Sequence, residues 1–115
     1  MHEMSLVDAL FDQVDASLRP HPGARLRQVR VRIGELAGVE PELFRTAFEE
    51  LRRERLYPSS ELELTWEPAQ WRCPMCGQAV VQGEVLQCPS CDVAAVISRG
   101  DGIYLDHLEM EVPDV

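Results

Sequence analysis

Residues 73–91 have the sequence CPMCGQAVVQGEVLQCPSC, and this stretch decides the fold of one part of the chain. It contains all four cysteines of the protein, as two CxxC pairs with eleven residues between them: Cys73, Cys76, Cys88 and Cys91. A gap of two residues lets two thiolates converge on one ion within a tight turn, and a hairpin brings the second pair to the other side of that ion. Two pairs at such a separation are typical of a zinc ribbon.

Two other roles of paired cysteines fit this sequence less well. A redox-active CxxC normally occurs as a single pair that opens a helix. Disulfides require an oxidising compartment, to which nothing in the sequence points. Four thiolates leave no open coordination position, so we predict one structural Zn(II) per chain. Gly77 follows the first pair, where a positive φ is often needed.

The segment around the cysteines is short and poor in large apolar side chains. A module of this size cannot bury enough surface by itself and needs a metal to fold. We therefore predict a zinc-binding ribbon at residues 69–101, inserted into a domain that comprises residues 1–68 and 102–115. Pro68 marks the first boundary, and Gly100-Asp101-Gly102 marks the second.

Apolar residues outside the ribbon recur at two different spacings. Helical spacing predicts a first helix with Ser5 as its N-cap and a second helix with Pro41 in its first turn. Alternation predicts three strands, at residues 28–33, 61–67 and 103–112. In the last strand the apolar parity changes near Asp106-His107, as a bulge would cause. We predict an α/β fold, with two helices on one face of a small three-stranded sheet and the four-cysteine zinc ribbon inserted before the last strand.

The same periodicities predict which side chains are buried. The apolar stripe of the second helix comprises Leu43, Phe44, Ala47, Phe48 and Leu51. In the second strand, Leu62, Leu64 and Trp66 alternate with Glu61, Glu63 and Glu67. We predict that the run Arg52-Arg53-Glu54-Arg55 is a solvated helix face. As the main basic cluster of an acidic protein, it could alternatively meet an acidic partner.

Charge and composition exclude several classes of function. The net charge is −9, from 20 acidic residues and 11 basic residues that are all arginine, so nucleic-acid binding is disfavoured. No apolar run approaches the ~20 residues that cross a bilayer, and the first residues do not resemble a secretion signal, so we expect a soluble, cytoplasmic protein. The sequence contains no nucleophile with a matching base and no phosphate loop, so we do not expect an enzyme.

The first three residues form a second candidate metal site. His2 is bulky, so Met1 is expected to keep its place with a free α-amine. That amine, the His2 amide nitrogen and the His2 imidazole can close fused chelate rings around one ion, with Glu3 as a fourth donor. Nitrogen-rich, near-planar donor sets suit Ni(II) and Cu(II). A histidine at position 2 also fits a frayed, solvated chain end, and the pattern alone leaves both interpretations open.

Three stretches, together with the CxxC pairs, resemble the HypA/HybF family of hydrogenase maturation factors. They are MHEMSL at residues 1–6, VRIGELAGV at residues 31–39 and YLDHLEME at residues 104–111. The resemblance runs along essentially the whole chain, in order and at matching lengths. It implies a nickel metallochaperone that delivers nickel to the large subunit of [NiFe]-hydrogenase together with a maturation GTPase. Some members of the family also serve urease.

The resemblance also implies roles for individual residues. The amine of Met1 and His2 would hold nickel, Glu3 would contribute to nickel handling or partner contact, and Glu40 would lie near the nickel. The four cysteines match the zinc ligands of the family. We expect a monomer or a weak homodimer.

The sequence departs from the family pattern at two places. Gly102 stands where many members have Glu, and the segment from Cys73 to Cys91 lacks the histidines that some members carry beside the zinc. A zinc site that exchanges ligands is therefore not expected. The alternative function is a zinc ribbon that binds proteins or nucleic acids without delivering metal. The acidic charge and the lack of Phe or Tyr between the cysteine pairs argue against its nucleic-acid form.

Overall fold

The computed structural model describes residues 2–81, 83 and 85–113 and contains two helices and two small sheets. The helices are α1 (His2–Leu18) and α2 (Pro41–Glu54). The strands are β1 (Arg25–Gly34), β2 (Glu61–Glu67), β3 (Gln70–Arg72), β4 (Ala79–Val80), β5 (Val96–Arg99) and β6 (Ile103–Glu111). One sheet has the order β2-β1-β6 and the other has the order β4-β3-β5. The predicted fold class is confirmed, as is the return of the last strand to the first two.

Contacts divide the chain into two compact units. The helical unit comprises the described residues within 1–32, 39–65 and 104–115, and the ribbon unit comprises those within 33–38 and 66–103. The ribbon unit therefore contains the four cysteines and adds the end of β1 to the segment around them. It has a three-stranded sheet of its own, which the periodicity of the sequence did not predict.

The first helix begins earlier than predicted. Its first residue is His2, and Ser5 is an exposed residue inside the helix, so the prediction of Ser5 as the N-cap was wrong. Glu3 stands in the first turn, where a carboxylate interacts favourably with the helix dipole. Its Oε2 accepts a hydrogen bond from the backbone N–H of Glu40, at 3.4 Å.

The second helix begins as predicted, with Pro41 in its first turn. Glu40 is the N-cap, and its Oε1 accepts a hydrogen bond from the N–H of Glu42 at 3.3 Å. Phe44 and Phe48 are fully buried, but Leu43 is 55% exposed, so its assignment to the buried stripe was wrong. Leu43 is one residue away from Phe44, which is about 100° around the helix and at the edge of the buried face.

The predicted alternation fails at the end of β2. Trp66 is 50% exposed and Glu67 is only 8% exposed, so both were assigned to the wrong side. Burial of a carboxylate requires partners. The Oε1 of Glu67 accepts a hydrogen bond from the N–H of Gly100 at 3.0 Å, and its Oε2 lies 3.8 Å from Nη1 of Arg99. In β6 the predicted change of parity is confirmed, because Asp106 and His107 are both exposed.

The core of the helical unit consists of side chains from both helices and β1. It includes Val7, Phe11, Val14, Val29, Val31, Phe44 and Phe48, each at most 1% exposed. The rings of Phe11 and Phe48 stack with their centroids 5.2 Å apart, which joins α1 to α2. The helices run in the same direction, because Glu3 meets Glu40 at one end and the last turns meet at the other.

Arg55, the C-cap of α2, binds three carboxylates of α1. Its guanidinium donates to Asp8 at 2.6 Å, to Asp12 at 2.7 Å and to Asp15 at 2.8 Å. We call this group the Arg55 clamp. Hydrogen bonds to Asp15 and Asp12 hold the pKa of Arg55 above its usual range. The prediction that residues 52–55 form a solvated face was therefore wrong for Arg55. It was also wrong for Arg52, which is half-buried and donates to the carbonyl of Ser60 at 2.6 Å.

We predict that Arg55→Gln lowers the free energy of unfolding by about 1–3 kcal/mol. Three neighbouring carboxylates would lose their shared cation and its charged hydrogen bonds, although their partial exposure reduces the cost. Urea unfolding followed by circular dichroism measures the change. Arg53→Gln is the matched control, because Arg53 is exposed on the same turn, and it should change stability by less than about 0.5 kcal/mol. Equal stability of the two variants would show that the clamp is not stabilising.

Tyr57 joins the clamp by donating its hydroxyl to Asp15 at 2.5 Å. Burial, followed by this hydrogen bond, raises the pKa of Tyr57 to about 12. Burial acts to raise the pKa of Asp15, but hydrogen bonds from Tyr57 and Arg55 outweigh it, and the pKa falls below its usual value.

These shifts predict a loss of stability at both ends of the pH scale. The folded pKa of Tyr57 lies above its unfolded value, so its contribution is complete below about pH 10 and is lost as the pH rises towards 12. The folded pKa of Asp15 lies below its unfolded value, so its contribution is complete above about pH 4 and is lost as the pH falls further. The stability advantage over Tyr57→Phe, measured by urea unfolding, should shrink from pH 10 upwards. An advantage that stays constant would contradict this, and Tyr104→Phe serves as the control.

Candidate metal centres

Each CxxC pair lies in a tight turn that directs backbone N–H groups at sulfur. The Sγ of Cys73 accepts hydrogen bonds from the N–H of Met75 at 3.3 Å and of Cys76 at 3.4 Å. The turn closes through a hydrogen bond from the N–H of Gly77 to the carbonyl of Cys73 at 2.9 Å, and Gly77 has a φ of 78°. The predicted positive φ at Gly77 is thus confirmed.

The second pair repeats this geometry. The N–H of Asp92 donates to the carbonyl of Cys88 at 2.9 Å, and Asp92 has a φ of 57°. Asp92 therefore occupies the position equivalent to Gly77, and an aspartate tolerates the left-handed region better than most residues. Each pair is also anchored to its own hairpin, because Cys73 donates to the carbonyl of Gln78 and Cys88 donates to that of Val93, both at 2.9 Å.

The small sheet of the ribbon unit supports the first pair. Its central strand, β3, ends immediately before Cys73 and contains Trp71, which pairs with Val80 on one side and Ile97 on the other. Trp71 is half-buried.

The four sulfur atoms converge on one point. All four Sγ atoms lie within 4.8 Å of one another, and those of Cys76 and Cys88 are 3.7 Å apart. A tetrahedral ion at about 2.3 Å from each sulfur requires separations of roughly 3.8 Å, whereas a disulfide requires about 2.05 Å. Cys73 and Cys88 are 1% exposed, and the thiols are free. The donor set therefore fits one tetrahedral ion without an open position.

The thiols differ in acidity before a metal binds. Burial acts to raise the pKa of Cys73, but the backbone hydrogen bonds from Cys76 and Met75 outweigh it and lower the pKa to about 7. Hydrogen bonds to Cys76 and Cys73 raise the pKa of Cys91 to about 12. Four thiolates cannot all carry a negative charge in one small space without a cation, so a dication that binds there must displace protons from the thiols. Metal affinity must therefore decrease as the pH is lowered.

The candidate N-terminal site is less enclosed. His2 is exposed at the first position of α1, and Glu3 is half-buried beside Glu40. Met1 lies outside the described residues. Glu3 and Glu40 are 37 residues apart in the sequence and meet because the parallel helices place both N-termini at the same end. Among the described residues, the four cysteines are the cluster of three or more potential ligands whose donor atoms converge. His21 and His107 are both exposed.

Two glutamates that had no assigned role accept hydrogen bonds from the backbone at the boundaries of the cysteine segment. Oε1 of Glu35 accepts a hydrogen bond from the N–H of Ala69 at 2.8 Å, and Glu67 accepts one from Gly100. Gly100 has a φ of +86°, and a Cβ there would lie 2.7 Å from Cα of Ala69, so only glycine fits. Neither glutamate stands in a spacing pattern that predicts such pairing, although Gly100 was recognised as a boundary.

Comparisons with known proteins identify the family. A family model described as HypA, a metallochaperone for hydrogenase and urease nickel incorporation, matches residues 1–110. The chain belongs to the HypA family. The hydrogenase maturation factor HypA of Desulfitobacterium hafniense is 31% identical over 113 residues, which cover 96% of this chain and 99% of the relative. That of Shewanella halifaxensis is 33% identical over 96% of this chain and 98% of the relative.

Solved structures of HypA proteins have the same fold. The solution structure of the Ni metallochaperone HypA from Helicobacter pylori superposes with a TM-score of 0.73 at 24% identity, and covers 96% of this chain and 98% of that one. A second HypA solution structure has a TM-score of 0.69 at 26% identity, over 94% and 92% of the two chains.

The predicted resemblance is thus confirmed. HypA proteins are nickel metallochaperones of hydrogenase maturation rather than enzymes. No helix in residues 2–81, 83 and 85–113 is long and apolar enough to cross a membrane.

For the cysteine site of this HypA protein, we predict that Cys88→Ser abolishes tight binding of one Zn(II) and unfolds the ribbon unit only. Metal binding in such small sites supplies folding free energy of order 10 kcal/mol. Elemental analysis measures the metal, and hydrogen exchange locates the unfolding. Ser90→Ala, which changes an exposed residue of the same turn, should keep both metal and protection. A Cys88→Ser protein with a metal-free but protected ribbon unit would contradict the prediction.

Proposed function

We propose that this HypA protein carries nickel at its N-terminus and passes it, together with a maturation GTPase, to the large subunit of [NiFe]-hydrogenase in the cytoplasm. The proposal is supported chiefly by the meeting of Glu3 and Glu40 at the end where α1 begins with His2. Urease, named in the description of the family, is a second client to which the same cargo would pass.

The nitrogen donors for nickel are the α-amine of Met1, the amide of His2 and the His2 imidazole. The first four N–H groups of a helix have no acceptor within that helix. The His2 amide is one of these four groups, so its nitrogen can bind nickel without breaking a hydrogen bond of α1. Glu3 or Glu40 would supply a carboxylate. Such a nitrogen-rich set favours Ni(II), whereas the four thiolates favour Zn(II).

The acidic residues at this end also meet an electrostatic requirement. Each helix N-terminus carries about half a positive charge, and two parallel helices present two of them. Both would repel a dication. Glu3, Glu40 and Glu42 stand at these same ends, and their carboxylates offset that repulsion.

The two metals would differ in how tightly the chain holds them. The cysteine site has two buried ligands and a closed shell of four thiolates, which suits a permanent structural zinc. The N-terminal site is exposed at His2 and lies at a chain end, which suits a cargo that must leave. Four thiolates with Zn(II) have a formal charge of −2, which takes the net charge from −9 to about −11. We propose a monomer or weak homodimer whose acidic surface meets basic surfaces of its partners.

We predict that an uncleaved, histidine-free extension before Met1 weakens nickel binding as severely as His2→Ala. The extension converts the α-amine into an amide, so the fused chelate rings can no longer form. Isothermal titration of zinc-loaded protein with Ni(II) measures the loss. Zinc content and the circular dichroism spectrum should stay unchanged, because neither helix packing nor the cysteine site uses that amine.

The same extension after Val115 is the matched control and should leave nickel binding unchanged. A second control is His21→Ala, which removes an exposed histidine of the loop after α1. If the N-terminally extended protein bound nickel as the native chain does, the assignment of Met1, His2 and Glu3 would be wrong.

A further inference from the structure

A small apolar groove lies between the first turns of α1 and the middle of α2, within the helical unit. It has a volume of about 90 Å³ and is lined by Glu3, Met4, Leu43, Thr46, Ala47 and Glu50. A volume of this size equals roughly three water molecules, which is enough for one branched aliphatic side chain. The lining residues of α2 follow the spacing i, i+3, i+4 and i+7, so they form one continuous flank of the helix.

The floor of the groove offers contacts for an apolar side chain. Leu43 is 55% exposed, although it belongs to a helix whose other large apolar residues pack inwards. Met4 is half-buried beside it, and methionine side chains adapt their shape to a partner. The hydroxyl of Thr46 is already bonded to the carbonyl of Glu42 at 3.0 Å, so it does not require a polar partner from outside.

Both charged residues of the lining are acidic. Within the described residues, the carboxylate of Glu3 accepts a single long hydrogen bond from Glu40, and Glu50 forms no ion pair. An occupant of the groove would therefore gain most from cationic side chains on either side of an apolar anchor. Nucleic acids and anionic surfaces are disfavoured by the same charges.

We propose that this groove docks a basic, amphipathic helix of a partner protein. One aliphatic side chain of that helix sits on Leu43, Met4 and Ala47, while flanking Arg or Lys side chains pair with Glu50 and Glu3. Amphipathic helices bind partner proteins in this way, by laying their apolar face into a hydrophobic groove. The inference rests on the groove alone, and it holds whether or not the N-terminus binds nickel.

The test uses the full zinc-loaded chain and two synthetic helical peptides. One peptide carries a leucine stripe flanked by arginines, and its twin carries glutamate in place of every arginine. NMR titration should show shifts confined to the residues of the groove with the first peptide, and no binding of the twin. Raising the salt concentration should weaken the complex, since the flanking charges are exposed.

Variants of the chain test the apolar contact and the acidic side chains of the groove separately. Leu43→Ala should weaken the binding of the arginine peptide about tenfold, and Glu50→Gln should weaken its binding several-fold. Alanine is the best helix former, so Leu43→Ala keeps α2 intact. The matched controls are Leu56→Ala, at a leucine that is 82% exposed outside the groove, and Glu109→Gln on β6. Both should bind the peptide as the native chain does.

Four results would overturn the proposal. Equal binding of both peptides would show an unselective apolar surface. Shifts centred outside the groove, or no binding at all, would show that the groove does not receive such a helix. Shifts of groove residues that depend on protein concentration without peptide would assign the groove to a second copy of this chain.

Discussion

The guanidinium of Arg55, shared among three carboxylates of α1, sets the arrangement on which the rest of the helical unit depends. Arg55 lies at the C-terminal end of α2, and its partners Asp8, Asp12 and Asp15 lie on successive turns of α1. Together with the stacked rings of Phe11 and Phe48, this holds the two helices side by side in the same direction. Parallel helices bring their N-termini to one place, which is where Glu3 meets Glu40.

The two candidate metal centres differ in how far the fold around them depends on a bound cation. At the cysteine site, turns and hairpins place four sulfurs within 4.8 Å of one another, so a bound ion would take the place of the core that the ribbon unit lacks. At the N-terminus, the core is complete without a metal, since its buried side chains come from α1, α2 and β1. An ion bound there would not be required for folding, so the protein could lose it without unfolding.

Sequence patterns predicted the features that depend on local spacing. The helices, the three long strands and the cysteine turns follow from periodicity and from pairs two residues apart. The patterns failed where a distant partner decides. The burial of Glu67 depends on Gly100, which is 33 residues away. The role of Arg55 depends on aspartates that are 40 to 47 residues away. The predicted burial of Leu43 and Trp66 was wrong for a related reason, because periodicity does not define the width of a buried face.

Under the proposed function, Glu3 would serve both the fold and the transferable cargo. Its hydrogen bond from Glu40 is 3.4 Å long, well beyond the usual ~2.9 Å, so losing it costs at most about 1 kcal/mol. A carboxylate held this weakly can turn to a metal ion and return without disturbing α1 or α2. The same carboxylate borders the groove that we assign to a basic helix. One negative charge cannot fully neutralise both a nickel ion and a partner's arginine, so docking at the groove and retention of nickel would oppose each other, which is what a carrier needs at the moment of transfer.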